Sequence, residues 1–233
     1  IIVIDTLPPV AGNVVFAGLE DAGGSATDGL TRDNSFELVL SSNQAGSTVV
    51  FQQRQDGGAW TDLGSPALSG LLEGRYDFRA RVTDAAGNSS FSTSVSVALD
   101  LTAPAAGTLA FSGLVDSGSA DTPVVTTDNS FSLALSGNSD ANGTSVAYEV
   151  SADGGANWSA TVASQSGLAD GSYRFRAVVT DPAGNSAISN TISVVVDSTA
   201  PTAGTLAFSG LVDRKSTRLN SSHGYISYAV FCL

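Results

Sequence analysis

The chain has 233 residues, of which 42% are hydrophobic and 14% are charged. Its net charge of -12, from 22 acidic against 10 basic side chains, excludes a broad phosphate-binding surface, so nucleic acid is not an expected partner. No apolar run reaches the ~20 residues of a membrane-spanning helix. Residues 1–4 are too short for the apolar region of a signal peptide and lack a basic flank, so no signal peptide is predicted here.

Two long segments of the chain repeat each other. Residues 130–136 match residues 35–41 at a spacing of 95 positions, and residues 173–181 match residues 76–84 at a spacing of 97. The change in spacing from 95 to 97 positions predicts a small insertion between Ser41 and Gly46. A unit of ~95 residues is far longer than the 20–50 residues of solenoid repeats, so the sequence predicts tandem domains.

Within each repeat, apolar and polar residues alternate with a period of two. The pattern is clear in residues 131–135, 146–150, 173–180 and 192–196, and each run is bounded by Gly, Asn, Asp or Ser. About seven short strands in ~97 residues are typical of an antiparallel sandwich. The predicted fold class is therefore all-β, with tandem immunoglobulin-like antiparallel β-sandwiches arranged end to end.

Four aromatic residues refine this prediction. Tyr76 and Tyr173 each follow a Gly turn at the start of a strand, where immunoglobulin-like sandwiches have a tyrosine corner. Trp60 and Trp158 each follow an Asp-Gly-Gly turn. We expect both tryptophans in the sandwich core, with an exposed sugar-binding platform as the alternative.

The string from Tyr173 to Asn185, followed by Val-Val-Val-Asp197 and Ser-Thr-Ala-Pro201, resembles bacterial Ig-like repeats. Such arrays occur in giant surface adhesins and biofilm proteins, often exported by type I secretion in Gram-negative bacteria. The resemblance covers residues 1–213. It divides the chain into the last strand of a preceding repeat, repeat 1, repeat 2 and the first strand of a truncated third repeat, at residues 1–4, 5–100, 101–197 and 198–213.

The last 20 residues, 214–233, break the repeat pattern and hold the only Lys, His and Cys of the chain. They resemble an in-frame translation of a common short-read sequencing adapter, so we interpret them as an artefact. The alternative is a basic tail with a reactive thiol. Without Arg214, Lys215 and Arg218, seven basic residues face all 22 acidic ones, a net charge of -15.

Residues 1–213 contain no His and no Cys. They therefore cannot form a Ser-His-Asp or Cys-His catalytic device, or a zinc site of thiolates and imidazoles. Composition alone does not exclude a glycosidase with two carboxylates, but the repeats duplicate one another instead of building one unique cleft. We expect no enzyme activity in this segment.

Aspartate is the main functional signal, contributing 18 of the 22 acidic residues. Strand direction places several aspartates of each repeat at its downstream pole. The upstream pole of repeat 2 faces the downstream pole of repeat 1, and it carries Asp140 in one loop and Asp181 with Asn185 in a turn. The candidate cation ligands are Asp21, Asp33, Asp100, Asp116, Asp128, Asp181 and Asp197.

Converging carboxylates without lysine favour a hard divalent cation, and the flexible oxygen coordination of Ca²⁺ fits such a site better than that of Mg²⁺. The resemblance implies the same, since similar repeats in large adhesins bind Ca²⁺ near their domain junctions. The alternative is that aspartate only stabilises turns. That reading is preferred for Asp56, Asp153 and Asp170, and the choice stays open for the pairs Asp84/Asn88 and Asp181/Asn185.

The expected function is a non-catalytic stalk segment of a bacterial cell-surface or secreted adhesin, stiffened by Ca²⁺ at its junctions. Its expected partners are the neighbouring Ig-like repeats and, through other domains, a host or biofilm surface. The alternative is a glycan-binding or spacer module of an exported polysaccharide-active enzyme.

Overall fold

The computed structural model describes residues 4–21, 23–25, 27–118, 122–207 and 209–210. All regular structure in them is β-strand, so they contain no helix that could cross a membrane. The described residues up to Thr199 form one compact unit. The predicted artefact at residues 214–233 lies outside the described residues, as does most of the strand predicted at residues 1–4.

The described residues of repeat 1 form nine strands, several of only two or three residues. They are β1 (Asn13–Ala17), β2 (Leu30–Thr31), β3 (Phe36–Ser41), β4 (Thr48–Gln55), β5 (Thr61–Asp62), β6 (Ala67–Leu68), β7 (Gly74–Thr83), β8 (Ser89–Phe91) and β9 (Val95–Leu99). The order in the smaller sheet is β1-β3-β6, and in the larger sheet it is β2-β9-β7-β4-β5, with β8 also paired to β7.

The described part of repeat 2 has the same arrangement, again with nine strands. They are β10 (Ala105–Ser112), β11 (Val124–Thr126), β12 (Phe131–Ser139), β13 (Ser145–Ser151), β14 (Ser159–Thr161), β15 (Ser164–Gln165), β16 (Gly171–Thr180), β17 (Ser186–Ile188) and β18 (Ile192–Val196). Its sheets are β10-β12-β15 and β11-β18-β16-β13-β14. Among the described strands only β2–β9 and β11–β18 pair in parallel. The predicted tandem all-β sandwiches are confirmed.

The core of each repeat forms where the apolar faces of its two sheets meet. Strand β7 shows the predicted alternation, because Tyr76, Phe78, Ala80 and Val82 are buried while the residues between them are not. In each core three phenylalanines pack edge to face, with the rings of Phe78 or Phe175 completely buried. Each such side chain contributes about 1.5–3 kcal/mol of hydrophobic stabilisation.

The tryptophans are not part of either core, so that expectation was wrong. Trp60 and Trp158 are half-buried beside arginines of the larger sheets. The guanidinium carbon of Arg79 lies 4.1 Å from the centroid of the Trp60 ring, and that of Arg176 lies 4.1 Å from Trp158. Because these arginines alternate with buried core residues, they occupy the outer sheet face, where stacking on a cation replaces core packing.

The tyrosine corner is present in repeat 2, where the hydroxyl of Tyr173 donates to the carbonyl of Ala169 at 3.0 Å. In repeat 1 the Tyr76 ring is buried and stacks on Phe78. The described part of residues 198–213 forms no strand. In repeat 2 the matching segment is β10, which forms a strand by pairing with β12.

Repeat 1 has a polar residue, Gln53, at a position where repeat 2 has an apolar residue that packs against the core. Gln53 lies opposite Phe78, whereas Val150 lies opposite Phe175 and packs against the core. The Oε1 atom of Gln53 is buried and accepts no hydrogen bond from the described residues. A buried unpaired acceptor costs about 1–3 kcal/mol.

Replacing Gln53 with Val should therefore stabilise the protein. We expect Gln53→Val to raise the free energy of unfolding by about 1 kcal/mol, measured by urea denaturation of the whole chain. The reverse change at the matching position, Val150→Gln, should lower it. A decrease in stability for Gln53→Val would contradict this account.

Candidate functional site

The junction between the repeats begins at Asp100, directly after β9. Its backbone N–H donates to the carbonyl of Thr31 at 3.0 Å, and its carboxylate Oδ1 accepts from the N–H of Thr102 at 3.1 Å. Asp100 is only 7% exposed. These bonds fix the residue at the downstream pole of repeat 1, which agrees with the sequence-based placement.

The turn between β16 and β17 supplies a second carboxylate at this junction. Both the backbone N–H and the side-chain Nδ2 of Asn185 donate to the Asp181 carboxylate at 2.9 Å. The same Nδ2 atom also donates to the carbonyl of Asp100 at 2.8 Å. Asp181 is 3% exposed, so this turn of repeat 2 is buried against the end of repeat 1.

The loop between β12 and β13 supplies the third carboxylate. Asp140 accepts from the backbone N–H of Asn142 at 2.8 Å, and Asn142 Nδ2 donates to Asp100 Oδ2 at 2.8 Å. One carboxylate oxygen from each of Asp100, Asp140 and Asp181 lies within 4.8 Å of the other two. The site therefore combines one residue of repeat 1 with two of repeat 2.

Among the described residues, no Lys or Arg forms an ion pair with any of the three carboxylates. The ion pairs among the described residues are Arg54–Asp77, Arg81–Asp62 and Arg176–Glu149, all away from this cluster. At 4.8 Å, two like charges repel by about 1 kcal/mol in water and by about 3 kcal/mol at the effective dielectric of a protein surface. A bound cation would attract all three carboxylates and so outweigh this repulsion.

The donor set fits Ca²⁺. Oxygens that share one calcium ion at 2.3–2.6 Å lie up to about 5 Å apart, which the 4.8 Å spread satisfies. A cleft of about 460 Å³ borders Asp100 and Asp140, and one of about 340 Å³ borders Asp181. These openings leave room for the water ligands that complete a coordination shell of six to eight oxygens.

Of the seven ligands predicted from sequence, the structure brings together Asp100 and Asp181. Asp33 and Asp128 instead stabilise the loops before β3 and β12. Asp33 accepts from the N–H groups of Glu20 and Ser35, and Asp128 accepts from the matching groups of Val115 and Ser130. Hydrogen bonds to its carboxylate, chiefly that from Val115, lower the pKa of Asp128.

The three remaining predicted ligands lie outside the cluster. Asp21 accepts from the N–H of Gly29, and its other oxygen is buried without a partner among the described residues. Asp116 accepts from Gly118, and Asp197 accepts from Thr199. Asp197 occupies the same position as Asp100 but is exposed. Cation binding at these positions stays a prediction.

Asp140 is a member of the cluster that the predicted ligand list lacks. The segment from Asn138 to Ser145 is two residues longer than the matching segment from Asn43 to Thr48 in repeat 1. Asp140 lies in these extra residues. The change in repeat spacing from 95 to 97 was therefore the signal that could have found it.

The upstream pole of repeat 1 has part of the same arrangement. Asn88 donates from Nδ2 to the carbonyl of Asp5 at 3.0 Å and to the carboxylate of Asp84 at 3.0 Å. The hydrogen bond from Asn88 is the main cause that lowers the pKa of Asp84. The shorter loop supplies no counterpart of Asp140 here, so this pole has one acidic group fewer.

Comparison with protein families gives a match to the bacterial Ig-like domain over residues 8–101 and again over residues 103–198. This chain belongs to the bacterial Ig-like domain family. The two matched segments place Asp100 at the end of one Ig-like domain and Asp140 and Asp181 within the next. No curated protein matches the chain.

Several solved structures resemble the tandem Ig-like domains at low sequence identity. Fibronectin(III)-like modules of Clostridium thermocellum CbhA are 11% identical, with a TM-score of 0.42 over 83% of this chain and 100% of that one. A Ca²⁺-stabilized adhesin with which an Antarctic bacterium binds ice is 20% identical, with a TM-score of 0.38 over 83% and 51%. A 1.5-MDa bacterial ice-binding adhesin is 16% identical, with a TM-score of 0.37 over 81% and 66%.

The segment after Asp197 is tied to repeat 2 by Asp170. Its carboxylate accepts from the N–H and hydroxyl of Ser198 at 2.8 and 2.6 Å and from the hydroxyl of Thr199 at 2.6 Å. The Ser198 and Thr199 side chains are the largest causes that lower the pKa of Asp170, to about 2. The folded state thus favours the charged carboxylate.

The contact of Asp170 should therefore persist above the ordinary carboxyl pKa and weaken as the pH falls from about 4 towards 2. In an NMR titration we expect the Asp170 carboxyl carbon to titrate near pH 2 and the Ser198 amide shift to follow it. Asp170→Asn should abolish the Ser198 response. A midpoint at the ordinary aspartate value would contradict this contact.

Proposed function

We propose that this chain is a non-catalytic stalk segment of a bacterial surface or secreted adhesin, in which Ca²⁺ at the junctions stiffens the Ig-like array. The proposal rests on one observation. Asp100 of one repeat and Asp140 and Asp181 of the next bring three carboxylates within 4.8 Å of one another with no Lys or Arg paired to them in the described part of the chain.

A cation shared by two repeats would stiffen the chain because its ligands come from both sides of the junction. Asp100 would provide the ligand of repeat 1, and Asp140 and Asp181 those of repeat 2. The connecting segment is short, and Pro104 is buried directly before β10. Proline fixes its own φ and restricts the residue before it, so little swivel remains once the ion is bound.

An extracellular location suits this chemistry. Calcium sites of extracellular modules commonly have dissociation constants of about 10⁻⁴–10⁻³ M, so the surrounding medium would keep such a site occupied. A stiff array would project adhesive domains of the same protein towards a host or biofilm surface. The Ig-like repeats themselves would act as spacers.

The alternative function, glycan binding, needs exposed aromatic rings. Arg79 lies over the Trp60 ring and Arg176 lies over the Trp158 ring, and Trp158 Nε1 donates to the carbonyl of Gly155. These intramolecular contacts occupy groups that a sugar platform would offer to its ligand. The stalk function is therefore preferred.

Calcium titration tests the proposal. The whole chain should bind one Ca²⁺ at the junction, and saturation at 10–100 times Kd should stabilise it by about 1.4–2.7 kcal/mol relative to chelator. Small-angle scattering should show a longer, stiffer particle with Ca²⁺ than with EDTA. Asp140→Asn and Asp181→Asn should each weaken binding at least tenfold, as measured by isothermal titration calorimetry.

Asp84→Asn is the matched control for Asp181→Asn. It makes the same change in the equivalent turn, where the third carboxylate is missing, and should leave calcium affinity unchanged. Asp100→Ala should loosen this junction, whereas Asp197→Ala should not. Equal melting temperatures and equal maximum dimensions with Ca²⁺ and with EDTA would remove calcium from the function.

A further inference from the structure

A backbone contact between the repeats lies beside the carboxylate cluster. Gly24, in the loop between β1 and β2, donates its N–H to the carbonyl of Pro182 at 3.1 Å. At Gly23 a Cβ atom would lie 1.6 Å from that carbonyl oxygen and 2.7 Å from the carbonyl carbon. Only glycine allows so close an approach of two backbones. We call these four residues, Gly23, Gly24, Pro182 and Ala183, the glycine contact.

Burial shows what the glycine contact does to repeat 2. The turns at residues 83–88 and 180–185 share the sequence Thr-Asp-X-Ala-Gly-Asn, yet Ala86 is exposed and Ala183 is completely buried. Asp84 is half-buried, whereas Asp181 is 3% exposed. In both turns the Asn donates its backbone N–H and its side-chain Nδ2 to the Asp carboxylate, so the difference in burial comes from repeat 1 covering the turn of repeat 2.

We propose that the glycine contact is a latch between the repeats that works without a metal ion and that sets the Asp181 carboxylate beside Asp100. The latch itself is independent of the calcium proposal. Its effect on affinity rests on that proposal, because a junction that is already ordered loses less conformational freedom when the ion binds.

The sequence explains why the latch sits at this place. Asp21-Ala-Gly-Gly-Ser looks like an ordinary turn, and the φ of Gly23 does not require glycine, since it lies outside the left-handed region. The requirement comes from Pro182, which is 159 positions away. Repeat 2 retains Gly118 at the position that matches Gly23.

The latch and the cation site are linked equilibria, so each affects the other by the same factor. If the latch improves cation affinity by some factor, the bound cation strengthens the latch by the same factor. Gly23→Ala adds one methyl group that the Pro182 carbonyl cannot accommodate, so the two backbones must separate. We expect a five- to tenfold loss of calcium affinity, although Gly23 provides no cation ligand.

Gly24→Ala is the matched control. A Cβ at Gly24 would meet nothing within 4 Å, and its N–H would still donate to Pro182. In EDTA, ¹⁵N relaxation of the whole chain should give one common tumbling time for both repeats in the wild type and in Gly24→Ala. Gly23→Ala should give two shorter, separate times. Calcium titration of the three proteins then measures the coupling.

A second pair of variants distinguishes loss of the latch from a folding defect. Ala183→Glu should open the junction because Ala183 is completely buried, whereas Ala86→Glu, in the exposed equivalent turn, should not. Separate tumbling of the wild-type repeats in EDTA, or common tumbling in Gly23→Ala, would overturn the latch. If none of the proteins binds Ca²⁺ but Gly23→Ala alone among the glycine variants loosens the chain, the calcium function fails and the latch stands.

Discussion

Asp100 is hydrogen-bonded to both repeats at once, and the geometry of the junction depends on it. Its backbone N–H is held by Thr31 of repeat 1, and its carbonyl and carboxylate accept from Asn185 and Asn142 of repeat 2. A residue fixed from both sides transmits the orientation of one sandwich to the next. Asp5 and Asp197 occupy matching positions and are exposed, so the burial of Asp100 is a property of the junction and not of its local sequence.

The fold follows from local patterns, which is why the sequence predicts it well. The alternation along residues 173–180 is independent of any distant partner, and the same pattern recurs 97 positions earlier. Trp60 and Trp158 show the limit of this reasoning. Their hydrophobicity predicts a core position, but stacking on Arg79 and Arg176 stabilises them on the outer sheet face, and the sequence alone does not reveal that pairing.

The candidate site is less predictable for a physical reason. An aspartate that caps a loop and an aspartate that binds a cation use the same carboxylate, and short-range sequence cannot separate them. Asp33 and Asp128 use both oxygens to hold backbone N–H groups of their own repeat. Asp100 and Asp181 are held close to each other by Asn185, which donates to both, and the glycine contact lets the two repeats approach beside them. The glycine contact joins residues that are far apart in the chain, so no local motif predicts it.

Two opposing terms act on the junction in the absence of a cation. Repulsion among the three carboxylates tends to open it, by about 1 kcal/mol per pair where water from the neighbouring clefts screens the charges and by about 3 kcal/mol where it does not. Hydrogen bonds from Asn142 and Asn185 to Asp100, together with the glycine contact, tend to close it. Bonds to charged groups contribute about 1.5–3 kcal/mol and neutral ones about 1 kcal/mol, so the terms are of similar size. A cation adds an attraction to each carboxylate that outweighs their mutual repulsion, and close contact between the backbones at Gly23 keeps the carboxylates in place to bind it.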